Sequence, residues 1–194
     1  MGVAFTDIYY DGPEREDAVN LSWYFNAIML AWLWLYSAWT WPSLPDRVPG
    51  HIGFGGGIRW DDATVLAWFV LPIIAAASTA AIWLAARYAL RNPRRINIPG
   101  KDKLLALPAE SQRRVLERVR AALGVIALQT TFILLLSQRM RYQAALGENV
   151  TASLVMILAF AVLSGPIIMV TLMVTAQRAL DAEARAANRD PAGN

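Results

Sequence analysis

The sequence contains no cysteine. That excludes disulfides, thiolate metal sites and cysteine nucleophiles, and it leaves the redox compartment unread. Histidine is nearly as scarce, since His51 is the only one. Zinc usually takes three or four protein ligands, so no metal centre is expected. Charge is also sparse: 17% of the 194 residues are charged, against about 25% in soluble domains. The charges cluster, leaving long tracts with none. Catalysis or ion coupling inside a membrane needs ionisable groups in the bundle. The apolar tracts carry no carboxylate relay, so no enzyme, no proton-coupled transporter and no cofactor is expected.

What is present is hydrophobic sequence, at 56% of the chain. A bilayer core about 30 Å thick needs about 20 mostly apolar residues per helix. Four stretches qualify: residues 22–41, 64–88, 119–137 and 150–176. Pro72 interrupts the second and Pro166 the fourth. Membrane helices accept proline where neighbours satisfy the carbonyl it frees. The mid-span polar residues are Asn26, Ser78, Thr79, Gln129, Thr130, Thr131, Ser153, Ser164 and Thr171, and their commonest use is to hydrogen-bond between helices. An unbroken row of small residues, Ala77, Ala81 and Ala85, points to close helix packing. Residues 1–17 are acidic and lack a basic n-region, so no signal peptide is expected there.

Residues 89–118 form a basic loop. If both termini lie on the same side as this loop, that side carries fourteen of the eighteen Lys and Arg residues. Positive charge is retained in the cytoplasm, so both termini are expected there. The expected location is a bacterial inner membrane. From Pro108 the loop turns helical in pattern, with an apolar stripe of Val115, Leu116, Val119 and Leu123. The expectation is an interfacial helix running into the third span. Its basic residues and those before it, Arg94, Arg95, Arg113 and Arg114, would touch anionic headgroups or a cytoplasmic partner. A basic segment of this kind sets membrane orientation, and no nucleic-acid partner is expected. The fold class expected is therefore all-α. It is a single membrane domain, residues 1–194, with four transmembrane helices plus a cytoplasmic interfacial helix.

Tryptophan is unusually frequent, and five of the eight lie in or beside the first span. Trp23, Trp39 and Trp41 fit an aromatic belt. Trp32 and Trp34 fall near mid-bilayer and point about 200° apart on a helix. One can pack inward while the other faces lipid, a pigment or a partner.

The first outer loop holds the remaining candidates: Pro45, Asp46, Pro49, His51 and Trp60. Two prolines fix the backbone around residues 46–48 and would present His51 on a stiff loop. His51 reads first as a loop residue. Asp62 is placed to cap the second helix. Gly53, Gly55, Gly56 and Gly57 match neither a Walker A nor a dinucleotide fingerprint, and they point to a left-handed turn sequence.

Leu44-Pro45-Asp46-Arg47-Val48-Pro49-Gly50-His51 resembles the outer loop of the SdpI-like bacterial membrane family, whose function is unknown. The second loop, Asn97-Ile98-Pro99-Gly100-Lys101 followed by Leu107-Pro108, is similar to a pattern in the same proteins. The resemblance spans about residues 20–120 and implies that Pro45, Pro49 and His51 matter. It also implies a role in sensing or resisting an extracellular peptide captured at this loop. The residues themselves point first to a non-catalytic subunit that binds other integral membrane proteins, as in a pigment-bearing or respiratory complex.

Overall fold

The computed structural model describes residues 14–53, 57–95 and 100–189. The start of the acidic N-terminal segment, Gly55 and Gly56, and Asn97 to Pro99 lie outside the described residues. Five helices and one hairpin follow in chain order. They are α1 (Glu14–Thr40), β1 (Arg47–Ile52), β2 (Ile58–Asp62), α2 (Val65–Arg91), α3 (Lys101–Leu105), α4 (Ala109–Ala145) and α5 (Thr151–Arg189). Single 3-10 turns sit at Trp41–Ser43 and Pro93–Arg95. The chain is mostly helical, with β1 and β2 as an antiparallel pair that the sequence did not signal.

Three helices are long and apolar enough to cross a membrane: α2, α4, and α5 over Thr151–Val170. Helix α1 is equally long and carries neither proline nor glycine, but Trp, Tyr, Asn, Ser and Thr lower its mean hydropathy. Helix α1 nevertheless runs alongside α4, in the same direction, from Ser22 onward. Ser22 Oγ donates to the Ala121 carbonyl at 3.3 Å near one end. Ser43 and Tyr142 share a hydroxyl–hydroxyl bond of 2.9 Å near the other. Gly124 permits this approach. A Cβ there would stand 2.3 Å from Ser22 Oγ and 2.9 Å from Trp23 Nε1. Trp23 therefore packs into the α1–α4 seam, and its buried indole N–H has no partner among the described residues.

Several of the mid-span polar residues bridge helices, while Thr130 donates back to the Ile126 carbonyl of its own helix. Asn26 Nδ2 donates to Thr79 Oγ1 at 3.2 Å, and Thr131 Oγ1 donates to Asn26 Oδ1 at 2.7 Å. One buried amide thus joins α1, α2 and α4. Gln129 of α4 donates to Ser164 of α5. Such bonds contribute about 0.6 kcal/mol each on average in a membrane bundle, and they fix register as well.

Several expectations change on the structure. The helix expected from Pro108 does run into the third span, as the single helix α4 over Ala109–Ala145, but its first turns are packed against protein. Val115 and Leu116 are buried against Leu104, Leu107, Ala179 and Leu180, so protein covers the expected lipid-facing stripe. Thr64, not Asp62, caps α2: its hydroxyl accepts from the Ala67 N–H at 3.1 Å, while Asp62 closes β2. Ala77, Ala81 and Ala85 face away from the bundle, and Ala75 and Ala86 are the alanines packed within it. The left-handed glycines among the described residues are Gly100 and Gly147, not Gly53 or Gly57.

Candidate functional site

The hairpin end of the bundle is organised around an arginine that the sequence placed in an outer loop. Arg141 lies in the last turns of α4 and is only 7% exposed. Its Nε donates to the Pro49 carbonyl at 2.9 Å, tying β1 to α4. Its Nη2 donates to the Ala67 carbonyl at 2.9 Å, tying α2 to α4. Its Nη1 lies 3.4 Å from Gln138 Oε1, one turn back on the same helix. The guanidinium also stands 5.4 Å from the ring centre of Trp68. Among the described residues no carboxylate reaches it at ion-pair distance. Carbonyl dipoles and a ring face therefore offset its desolvation, which is costly for any buried cation.

Gln138 explains why α2 tolerates its proline. Pro72 has no N–H, so the carbonyl four residues earlier, that of Trp68, loses its helical donor. Gln138 Nε2 donates to that carbonyl at 3.2 Å. Trp68 is wholly buried, and its Nε1–H donates to the Ser37 carbonyl on α1 at 2.9 Å. Tyr142 packs edge-on to Trp68 and to Tyr36. One polar and aromatic cluster thus joins α1, α2, α4 and β1.

The candidate loop residues divide around this cluster. Pro49 is turned inward and buried, opposite Trp60 in the ladder. The register shifts between Pro49 and His51, where Gly50 leaves room for the Asp61 carboxylate that any side chain there would overlap. His51 lies beyond the shift, exposed and opposite Arg59. Pro45, Asp46 and Trp60 are exposed as well. Arg47 Nη2 donates to the Trp60 carbonyl at 3.2 Å across the strands. The outcome is a braced hairpin rather than a free loop. Its stiffness comes from Arg141 and cross-strand pairing more than from the two prolines.

The two mid-span tryptophans of α1 differ in their contacts. Trp34 stacks on Phe69 of α2 with centroids 5.7 Å apart and remains 39% exposed. Trp32 points outward and is 58% exposed. It belongs to an outward stripe of Tyr24, Ile28, Trp32, Leu35 and Trp39, spaced three or four residues apart on one helix face. The opposite face holds Asn26, Leu33, Ser37 and Thr40, all buried.

At the other end, the four candidate arginines behave differently. Arg94, Arg95 and Arg113 are exposed. Arg114 pairs with Glu183 at 2.8 Å and with Glu110 at 2.8 Å, and it also donates to Ser111 Oγ at 2.9 Å. These hydrogen bonds from Arg114 hold the Glu183 carboxyl below its ordinary range, against the opposing effect of burial. Arg114 is therefore a fastener between α4 and α5.

Arg141 escaped the sequence reading because spacing alone sets it beyond the third apolar stretch. Its signal was indirect: Pro72 requires a donor from a neighbour, and Gln138 and Arg141 lie one turn apart. Comparison of the chain with known protein families, curated proteins and solved structures finds no match.

Replacing Arg141 by Met keeps the volume and removes the donors. The Pro49 carbonyl then loses its buried guanidinium donor, at about 1–3 kcal/mol, while the Ala67 carbonyl keeps the helical N–H of Leu71. Arg141→Met should lower stability by roughly 1–3 kcal/mol, measured by unfolding the purified chain in mixed micelles. Stability within about 0.5 kcal/mol of the parent, as for an ordinary surface change, would remove Arg141 from this role.

Proposed function

We propose that the chain is a non-catalytic subunit of a bacterial inner membrane, crossing it four times and binding other integral membrane proteins. The fourth crossing is α1. Its support is the parallel packing of α1 along α4, from Ser22 beside Ala121 to Ser43 beside Tyr142. With four crossings the basic end and both termini share the cytoplasmic side, following the bias of Lys and Arg.

The observation that carries the binding role is the two-faced character of α1. Its inner face is locked by polar contacts at Asn26 and Ser37. Its outer face presents Tyr24, Trp32 and Trp39, which offer broad contact area at low cost in side-chain entropy. A photo-crosslinking residue at Trp32 should give discrete protein adducts in native membranes, while one at the buried Leu33 should not. Adducts to lipid alone at Trp32 would contradict the role.

A second reading rests on the hairpin. His51 is exposed on a strand whose neighbour, Pro49, is bonded directly to the bundle interior through Arg141. A peptide captured at His51 would bear on the helices through that bond. This fits the sensor or immunity role that the SdpI-like resemblance implies. His51→Ala should then abolish protection or signalling at unchanged protein level. Retained protection would dispose of the reading.

A further inference from the structure

The basic end separates into charges that are used and charges that are not. Glu110, Glu117, Asp181 and Glu183 each pair with a base, namely Arg114, Arg120, Lys103 and Arg114 again. Those four carboxylates are taken up by these pairs. Arg91, Arg94 and Arg95 are exposed, and none of the four pairs with them. They lie in sequence where α2 ends and its 3-10 turn follows.

The residues leading up to them are ordered along the helix. Leu84, Tyr88 and Arg91 recur at four- and three-residue spacing, so they share one face of α2. All three are exposed, at 59% for Leu84 and 46% for Tyr88. On an adjacent row, the Arg87 guanidinium stands 5.1 Å from the ring centre of Trp83. The face thus passes from aliphatic to aromatic to cationic. At a rise of 1.5 Å per residue, Arg87 and Arg91 lie about 6 and 12 Å further along the axis than Trp83. Exposed tryptophan and tyrosine settle at headgroup level. The headgroup layer beyond the hydrocarbon is about 5–8 Å deep on each side. The Arg91 backbone therefore lies just beyond that layer, with Arg94 and Arg95 following it in sequence, and side chains of this length and flexibility reach back to the lipid phosphates.

We infer that the exit of α2 is a binding site for an anionic phospholipid headgroup, held by Arg91, Arg94 and Arg95 above the Trp83–Tyr88 aromatic layer. Guanidinium suits the phosphodiester because it offers paired donors to two oxygens at once. The aromatic layer favours a lipid over a free anion, because only a lipid brings acyl chains beside Leu84 and Tyr88. This site rests on the membrane reading above.

Native mass spectrometry of the full chain in detergent tests it, with equimolar phosphatidylglycerol and phosphatidylcholine added. The parent should retain phosphatidylglycerol in about tenfold preference. The variant Arg91→Gln/Arg94→Gln/Arg95→Gln should lose the preference. Arg91→Lys/Arg94→Lys/Arg95→Lys, which keeps the charge without the paired donors, should lower it; the hairpin variant Arg47→Gln/Arg59→Gln should keep it, and excess inorganic phosphate should not displace the lipid. If the triple glutamine variant does not fold, Arg91→Gln and Arg95→Gln alone should each lower the ratio. No preference in the parent, a preference unaffected by the glutamine changes, equal loss in the hairpin variant, or displacement by phosphate would each overturn the site. A parent chain that stays monodisperse without detergent would instead overturn the membrane reading itself.

Discussion

Pro72 leaves a gap in the hydrogen bonding of α2, and the hairpin end is built around filling it. The Trp68 carbonyl loses its donor to the missing proline N–H, and Gln138 supplies one from α4. Arg141, a turn further on, takes the adjacent Ala67 carbonyl and reaches across to Pro49. In hydrocarbon an unpaired carbonyl has no water to turn to. The partner must come from a neighbouring helix, and it can come only if that helix holds one position. A local defect in α2 thereby fixes the placement of α4, and through Pro49 the placement of the hairpin. Trp68 closes the arrangement by donating to Ser37, which draws α1 into the same register.

Helix α4 is the axis of the molecule for that reason. It meets α1 through Gly124 and Thr131, α2 through Gln138 and Arg141, and α5 through Gln129 and Arg114. Its two ends work differently. At the hairpin end a buried cation is neutralised by carbonyls and an aromatic face, and aliphatic packing follows at Met140, Ala144, Val150 and Ile157. At the basic end ion pairs to Glu110 and Glu183 surround a small apolar core from α3, α4 and α5. Between them the inner faces are joined by amides and hydroxyls, leaving the outer face of α1 free to carry aromatic residues.

Much of the helical architecture was legible in the sequence because apolar length is a strong signal. The places of α2, α4 and α5 follow from it directly. Helix α1 was legible by its freedom from charge, although its tryptophans and polar inner face dilute its hydropathy. The angular separation of Trp32 and Trp34 followed from helical geometry alone. Three things were not legible. The apolar cover that α3 and α5 give to Val115 and Leu116 on α4 comes in part from residues distant in sequence. The hairpin depends on pairing across residues 47–62, and its proline and glycine content reads locally as loop. The role of Arg141 depends on carbonyls 74 and 92 residues away. Local pattern reports on local structure, and each of these features is a long-range contact.

The central claim is a four-helix membrane bundle with the hairpin at one face and the basic end at the other. Because the chain has no cysteine, any cysteine introduced is its only thiol. Single variants Thr6→Cys, Arg59→Cys, Arg94→Cys and Glu148→Cys can be treated in intact cells with a membrane-impermeant thiol reagent. The account predicts labelling of Arg59→Cys and Glu148→Cys from outside, and of Thr6→Cys and Arg94→Cys only after the membrane is opened. Labelling of Arg94→Cys from the same side as Arg59→Cys would contradict the bundle. Labelling of Thr6→Cys from that side would show that α1 does not cross.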